Sequence, residues 1–332
     1  MLLSITAAKG KVLSKKILIT GAAGFVGTYL AEYCLSQGAE VHGWVRRSSS
    51  DDVSGQIHHK IKTESFDMSD KSETLDRLKS LSPEWIFHLA AKSHIGRSWE
   101  DPQDTLVTNI SCQINLLEGL RKLKAKPRVL IAGSSEEYGI VSRNQIPVDE
   151  SAALNPVSPY AVSKVAQDLM GLQYFRNYEL PIVRIRSFNQ SGPRRSDQFV
   201  TSAFAKQVAM IEAGLQAPVV RTGNLDAIRD FIDVRDGVRA LWLALERCET
   251  GEVYNICGGR GYQIRYILDV LKKLSKTKFE IKYDSSKARP SDLPVLVGDA
   301  SKFIMQTGWK TEHTFESSLE DLLNDWRVRV NK

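Results

Sequence analysis

Lys16-Ile17-Leu18-Ile19-Thr20-Gly21-Ala22-Ala23-Gly24-Phe25-Val26-Gly27 reads as a strand, a turn and the start of a helix. Ile17, Leu18 and Ile19 form an uninterrupted apolar run, the pattern of a parallel strand buried on both faces. Glycines follow at once, and without a Cβ they let the backbone turn sharply and come close to a diphosphate. The next helix carries Val26, Leu30 and Cys34 at four-residue spacing and stops at Gly38, so its amino terminus aims unpaired N–H groups at the turn. An anion is the natural occupant. The spacing is Gly-x-x-Gly-x-x-Gly rather than Gly-x-Gly-x-x-Gly, and a glycine triplet alone also fits a tight turn that holds no ligand. The rest of the chain decides between them.

With 332 residues and 42% hydrophobic content, the chain can bury a full core in one large domain or two. Its apolar runs are far shorter than a membrane span. Residues 1–15 precede the first strand as an extension, and Met1 to Ser14 lacks the basic start, long apolar core and cleavage site of a leader. The net charge of +6 accompanies 39 acidic residues with no long Lys/Arg run, which argues against a nucleic-acid surface and suits a phosphorylated small molecule. Cys34, Cys112, Cys248 and Cys257 have neither metal-pair spacing nor the density of a disulfide framework, so no metal is expected and a reducing cytoplasm is the simplest compartment.

After the first helix, Glu40 to Val45 reads as a second strand ending in Arg46-Arg47 and three serines. An acidic residue there would accept from the ribose hydroxyl of NAD, whereas arginine accommodates the 2′-phosphate of NADP. The cofactor is therefore read as NADP(H), with NAD(H) as the alternative, and a solvated basic loop as the reading without a ligand. A third strand near Ile61 to Ser65 leads to Asp67-Met68. Asp67 is placed either to accept from the adenine amino group or to cap a helix from about Lys71 to Leu81. The fourth strand, Glu84 to Ala91, ends in Leu89-Ala90-Ala91, where small residues leave room for a flat ligand. Lys92, Ser93 and His94 lie just beyond. From Thr105 to Leu123 a helix carries Leu106, Ile110, Ile114, Leu117 and Leu120 in one stripe, read as core or subunit interface. The fifth strand, Arg128 to Ala132, runs into Gly133-Ser134-Ser135-Glu136-Glu137-Tyr138-Gly139, which sets hydroxyls and carboxylates on the ligand side of a doubly wound sheet.

Ser158-Pro159-Tyr160-Ala161-Val162-Ser163-Lys164 opens another helix, with Ser158 as cap and Pro159 at its first position. Tyr160 and Lys164 share one face. An adjacent cation is expected to favour the phenolate and lower the tyrosine's pKa from about 10. With Ser134 nearby, the chain brings an alcohol, a phenol and a lysine to one reacting oxygen, the equipment for hydride transfer between a nicotinamide and a carbinol or ketone.

Gly21 to Gly27, Ala90-Ala91, Ser134-Ser135 and Tyr160 to Lys164 together resemble the extended short-chain dehydrogenase/reductase superfamily, in its nucleotide-sugar branch, over nearly all of the chain after Lys15. Further segments resemble the enzymes of GDP-deoxyhexose synthesis: Val41-His42-Gly43 with Arg46-Arg47-Ser48-Ser49, Phe188-Asn189-Gln190-Ser191-Gly192-Pro193, Gly223 to Phe231, Arg289-Pro290-Ser291-Asp292 and Thr307-Gly308-Trp309-Lys310. That group includes GDP-mannose 4,6-dehydratase and GDP-4-keto-6-deoxy-D-mannose reductase. Phe188 to Pro193 and Arg229 to Asp236 look closer to the reductase pattern. Glu136 pulls the other way, because a dehydratase needs a carboxylate to remove the C5 proton and a glutamate falls at this position in that family.

The resemblance implies a Rossmann-type doubly wound parallel sheet with a smaller α/β substrate-binding domain. Residues 16–188 and 224–257 are assigned to the first, 189–223 and 258–330 to the second. It implies catalysis by Ser134, Ser135, Glu136, Tyr160 and Lys164. The cofactor would be held by Gly21, Ala23, Gly24, Phe25, Val26, Gly27, Arg46, Arg47, Asp67, Met68, Leu89, Ala90, Ala91, Tyr160 and Lys164. A GDP-linked hexose would meet Ser93, Glu136, Asn189, Val200, Lys206, Arg221, Arg229, Arg289 and Asp292, although each arginine taken singly also fits a surface ion pair. Reduction of the C4 ketone is the favoured activity, with the dehydratase next, and an epimerase or a non-catalytic NADP sensor as further alternatives. Helices 105–123 and 160–174 imply a homodimer, or a homotetramer as the larger assembly.

Overall fold

A computed structural model describes residues 14–46, 60–287 and 293–331. Arg47, Arg289 and Asp292 lie outside the described residues. Strands and helices follow in the order β1 (Lys16–Thr20), α1 (Phe25–Ser36), β2 (Glu40–Val45), β3 (Lys62–Ser65), α2 (Lys71–Leu81), β4 (Trp85–His88), α3 (Ile95–Glu100), α4 (Pro102–Leu123), β5 (Arg128–Ser134), α5 (Pro159–Tyr178) and β6 (Ile182–Ser187). The chain then passes through β7 (Asn189–Ser191), α6 (Val200–Glu212), β8 (Val219–Thr222) and β9 (Ile228–Asp233), and returns by α7 (Val234–Arg247) to β10 (Val253–Ile256). Seven parallel strands make one sheet in the order β10-β6-β5-β4-β1-β2-β3. The order reverses between β1 and β4, so a crevice opens at the carboxyl ends of those two strands.

The apolar run that opens β1 is buried because each face of the sheet is covered. Ile17 and Ile19 pack with Leu30, Val238, Leu241, Trp242 and Leu245 under α1 and α7. Leu18, between them, points the other way, into Trp44, Ile86, Leu116, Leu117, Leu120 and Ile131 under α2 and α4. Alternation with both faces apolar leaves no polar position among Ile17, Leu18 and Ile19.

The last part of the chain contributes β11 (Gly261–Gln263), α8 (Ile264–Leu274), β12 (Glu280–Tyr283), β13 (Val295–Leu296), α9 (Ser301–Thr307) and α10 (Phe315–Arg329). A second sheet runs β11-β9-β13 with β7 also paired to β9, and β12 pairs with β8. Its core is separate: Phe204 and Val208 of α6, Ile267, Leu268 and Leu271 of α8, and Leu319, Leu322, Leu323 and Trp326 of α10. Residues 224–257 thus divide between the sheets, with β9 in the second and β10 at the edge of the first. The two units meet at the turn after β7. There Tyr29 of α1 donates to the Pro193 carbonyl at 3.0 Å, and Arg194 forks onto Glu32 with both bonds at 2.9 Å.

Helix α2 has the expected span, but its cap and the ends of two other elements differ from the sequence expectation. Helix α2 is capped by Asp70, whose carboxylate accepts the Glu73 N–H at 2.9 Å; Asp67 instead closes a local turn onto the Ser69 N–H. Helix α4 starts three residues before Thr105, because Asp101 caps it and Pro102 fits its first turn. Strand β4 stops at His88, since the Leu89 and Ala90 N–H groups turn onto the Thr20 carbonyl and hydroxyl beneath the glycines.

Candidate active site

The glycine turn joins β1 to α1 directly over the end of β4. Gly21 has φ +73°, a conformation that L side chains rarely adopt, and a Cβ on it would stand 3.0–3.1 Å from the Leu89–Ala90 backbone. At Gly27 a Cβ would run into the Gly21 carbonyl, so that glycine lets α1 sit tightly on the turn. Helix α1 begins after Gly24 with no side-chain cap. Its first N–H groups and the positive end of its dipole are left for a ligand, and the cradle fits a dinucleotide diphosphate. At the end of β2, Arg46 is exposed, and its charge is felt by both Asp67 and Lys92. The side chain of Met68 is buried in the core beside α4, and its carbonyl accepts from Asn115.

The reacting groups converge at the carboxyl end of β5. Ser134 closes that strand, and the short 3-10 turn Ser135–Glu137 follows. The Ser134 hydroxyl accepts the Glu136 backbone N–H at 3.2 Å and hydrogen-bonds the Tyr160 phenol. Ser135 is buried at the base of the turn, and Glu136 is half-buried with its charge facing Tyr160. Helix α5 is capped by Ser158 through the Ala161 N–H at 3.1 Å, which fixes the first turn that carries Tyr160. One turn further on, Lys164 is 4% exposed and donates to the Ala132 carbonyl at 2.8 Å.

One expectation is corrected here. The Tyr160 phenol is not pulled down by a neighbouring lysine; burial pushes it above its ordinary value, reinforced by Glu136 and Glu137 and opposed by Ser134 and Arg195. The Lys164 ammonium lies 6.0 Å from the ring centroid, is tied to the strand, and is itself pulled down to about 8 by burial. Desolvation outweighs the attraction of a cation at that distance. Tyr160 is therefore a phenol at neutral pH, ready to give a proton.

Arg195 is a further candidate, one that the sequence reading passed over. It lies in the Gly192-Pro193-Arg194-Arg195 turn, and its guanidinium is sandwiched between Phe25 of the glycine turn at 4.6 Å and Phe199 at 3.4 Å. Its Nε is enclosed with no hydrogen-bond acceptor among the described residues, and burial pulls the guanidinium down to about 9. His94 meets Phe199 edge-on at 6.0 Å. A cation held by rings in a cleft, beside Tyr160, is shaped for an anionic ligand. The one signal in the sequence was a pair of arginines directly after Gly-Pro, where the chain crosses between sheets.

The remaining candidates are more dispersed. Ser93 is exposed ahead of α3. Asn189 donates to the Asp230 carbonyl at 3.1 Å, which fixes its side chain at the start of the second sheet, and Val200 opens α6. Lys206 is engaged by Asp197 at 2.6 Å, Arg221 is exposed on β8, and Arg229 donates to the Ile228 and Leu293 carbonyls.

The doubly wound sheet, the glycine turn at its switch point and the Ser134–Tyr160–Lys164 group define an extended short-chain dehydrogenase/reductase. Residues 18–322 match the family model described as GDP-mannose 4,6 dehydratase, and the chain belongs to that family. Among its relatives, GDP-6-deoxy-D-mannose reductase of Pseudomonas aeruginosa is 30% identical over 321 residues, 96% of this chain and 100% of that one. GDP-mannose 4,6-dehydratase of Yersinia enterocolitica is also 30% identical, over 349 residues and 93% of each chain. The structure of RMD from Pseudomonas aeruginosa complexed with NADPH superposes with a TM-score of 0.82 at 29% identity, covering 95% of this chain and 98% of that one.

Proposed function

We propose that this chain is an NADP(H)-dependent reductase that converts the C4 ketone of GDP-4-keto-6-deoxy-D-mannose to the alcohol of GDP-D-rhamnose. The observation that carries the reading is the protonation state of Tyr160: a buried phenol hydrogen-bonded to Ser134 is an acid, and reduction of a ketone needs an acid at the carbonyl oxygen. The similar reductase covered over its full length and the NADPH complex support it.

The nicotinamide supplies the hydride when bound, and the chain does the rest. The glycine turn and the α1 terminus hold the diphosphate, while Arg46 with Lys92 behind it meets the 2′-phosphate. Ser134 donates to the C4 oxygen and orients it. Tyr160 would give its phenolic proton to that oxygen, and Lys164 would hold the ribose side of the site. Arg195 neutralises a phosphate across the cleft. The unit from the first sheet binds the cofactor, the unit from the second binds the sugar nucleotide, and the protein works in the cytoplasm as a homodimer.

The dehydratase is the second reading, favoured by the carboxylate of Glu136 close enough to Tyr160 for its charge to act on the phenol. Purified protein incubated with GDP-mannose alone, and separately with GDP-4-keto-6-deoxymannose plus NADPH or NADH, separates them by product mass and nicotinamide absorbance. The expected outcome is consumption of NADPH with the keto sugar and no reaction of GDP-mannose alone. Loss of water from GDP-mannose alone would overturn the reductase.

A further inference from the structure

Two consecutive arginines reach one helix from the turn that joins the two sheets. Arg195 stacks on Phe25, and Arg194 lays its guanidinium 3.6 Å from the centre of the Tyr29 ring while forking onto Glu32. Phe25, Tyr29 and Glu32 stand at positions i, i+4 and i+7 of α1, so they form one stripe along it, and the two rings meet edge-on at 5.7 Å. Phe25 is the first residue of that helix, beside the N–H groups that the cradle offers to a diphosphate.

Neighbouring side chains of an extended segment point to opposite sides, so an extended backbone here would bring only one of the pair to α1. Arg194 instead has φ +67°, in the left-handed region that a non-glycine residue keeps only where its surroundings hold it. Those surroundings come from both units. The Pro193 carbonyl accepts from Tyr29 of α1, and the Arg194 N–H donates to Asp325 of α10 at 2.9 Å. The Arg195 carbonyl accepts from Ser202 of α6 at 2.7 Å and from Arg329 of α10 at 3.3 Å, and the Trp326 indole fixes Ser202 at 2.8 Å. On the α1 side the fork onto Glu32 is the charged contact, and two parallel bonds to one carboxylate fix direction as well as distance. Stacking between two rings sets the plane of the Arg195 guanidinium but lets it slide. Its Nε meets no acceptor among the described residues, so its place is set through the backbone.

We propose that Arg194 is a positioning residue: its fork onto Glu32 holds the turn against α1 and thereby sets the Arg195 guanidinium between Phe25 and Phe199, beside the glycine turn. The inference rests on the reading of Arg195 as the cation that meets an anionic ligand. Arg194→Gly removes the guanidinium and suits the left-handed backbone, and Glu32→Gln removes the charge of the other half of the fork without touching the turn.

The first readout is NMR of arginine-labelled protein with no ligand added. The Arg195 Nε–Hε signal, assigned by its loss in Arg195→Met, is expected upfield of the other arginines in wild type, under the ring currents of Phe25 and Phe199. It is expected to move downfield in both variants. A wild-type signal without that shift, or one that stays in place in Arg194→Gly, overturns the proposal; one that stays only in Glu32→Gln overturns the fork as the cause. The second readout is affinity for NADP⁺ and for GDP, titrated separately by calorimetry. For the ligand that Arg195→Met weakens, Arg194→Gly alone is expected to cost about tenfold in affinity, yet less than about twofold when added to Arg195→Met. Losses that add in the double variant overturn action through Arg195. If Arg195→Met weakens neither ligand, the reading of Arg195 fails, and the ligand-free signal still decides whether Arg194 sets its place.

Discussion

At the scale of the residue, the site is decided by which polar group is left with a proton or a charge. Tyr160 is held as a phenol by burial, so Tyr160→Phe is expected to lower kcat by about 10²–10⁴-fold with little change in NADPH binding. Glu136 tests the reaction class. Glu136→Gln leaves reduction within about threefold if the carboxylate takes no proton, whereas a dehydratase that uses it as base loses about 10²–10⁴-fold. Arg195 is a cation between two rings with an enclosed Nε that meets no acceptor among the described residues, an arrangement that costs stability and that the proposed anionic ligand would relieve. Arg195→Met is expected to weaken binding of an anionic ligand by about 10–100-fold without lowering the melting temperature. Titrating NADP⁺ and GDP separately identifies the ligand it serves.

At the scale of the element, α4 and α5 bury one face against the sheet and leave another bare. Leu116, Leu117 and Leu120 are in the core, yet Val107, Ile114, Val162 and Leu169 are 38–54% exposed on the same two helices. Apolar side chains grouped on adjacent helices mark an interface. The proposed homodimer would cover them, and Val162→Glu with Leu169→Glu is expected to shift the protein to monomer in light scattering at an unchanged far-UV spectrum. A monomeric wild-type protein would remove this assembly from the proposal. The stripe at Leu106, Ile110, Ile114, Leu117 and Leu120 merged these two faces, because spacing gives which residues share a side of a helix but not what lies against it.

At the scale of the whole molecule, buried ionisable groups set how stability follows pH. His88 is neutral in the fold with its Nδ1 2.9 Å from the Thr20 hydroxyl, and burial pushes it down to about 3. Below about pH 6.5 the unfolded chain takes up a proton that the native protein refuses, so stability falls as pH drops from there through about 3. Glu137 acts in the opposite direction. It keeps its proton up to about 8 in the fold and releases it near 4.5 when unfolded, so its contribution fades as pH rises between those values. Thermal melts between pH 4 and 8 are expected to show His88→Gln flattening the acid slope and Glu137→Gln flattening the decline toward pH 8. A His88→Gln slope equal to wild type would mean that the imidazole is charged in the fold.

The strand–turn–helix at Lys16 to Gly27, the helix face shared by Tyr160 and Lys164, and the hydroxyl at the end of β5 were all legible in the chain. Each depends on local rules: an apolar run, glycines where a Cβ cannot fit, and residues four apart on a helix. Tertiary structure decided what lies between distant segments. Arg195 comes to Phe25 from 170 positions along the chain, Glu137 faces Lys164 and Arg186 from two other elements, and the Tyr160 phenol is raised rather than lowered. A sequence shows which groups can ionise, but the cost of ionising them depends on burial and on the charges packed around them. Those are properties of the assembled fold.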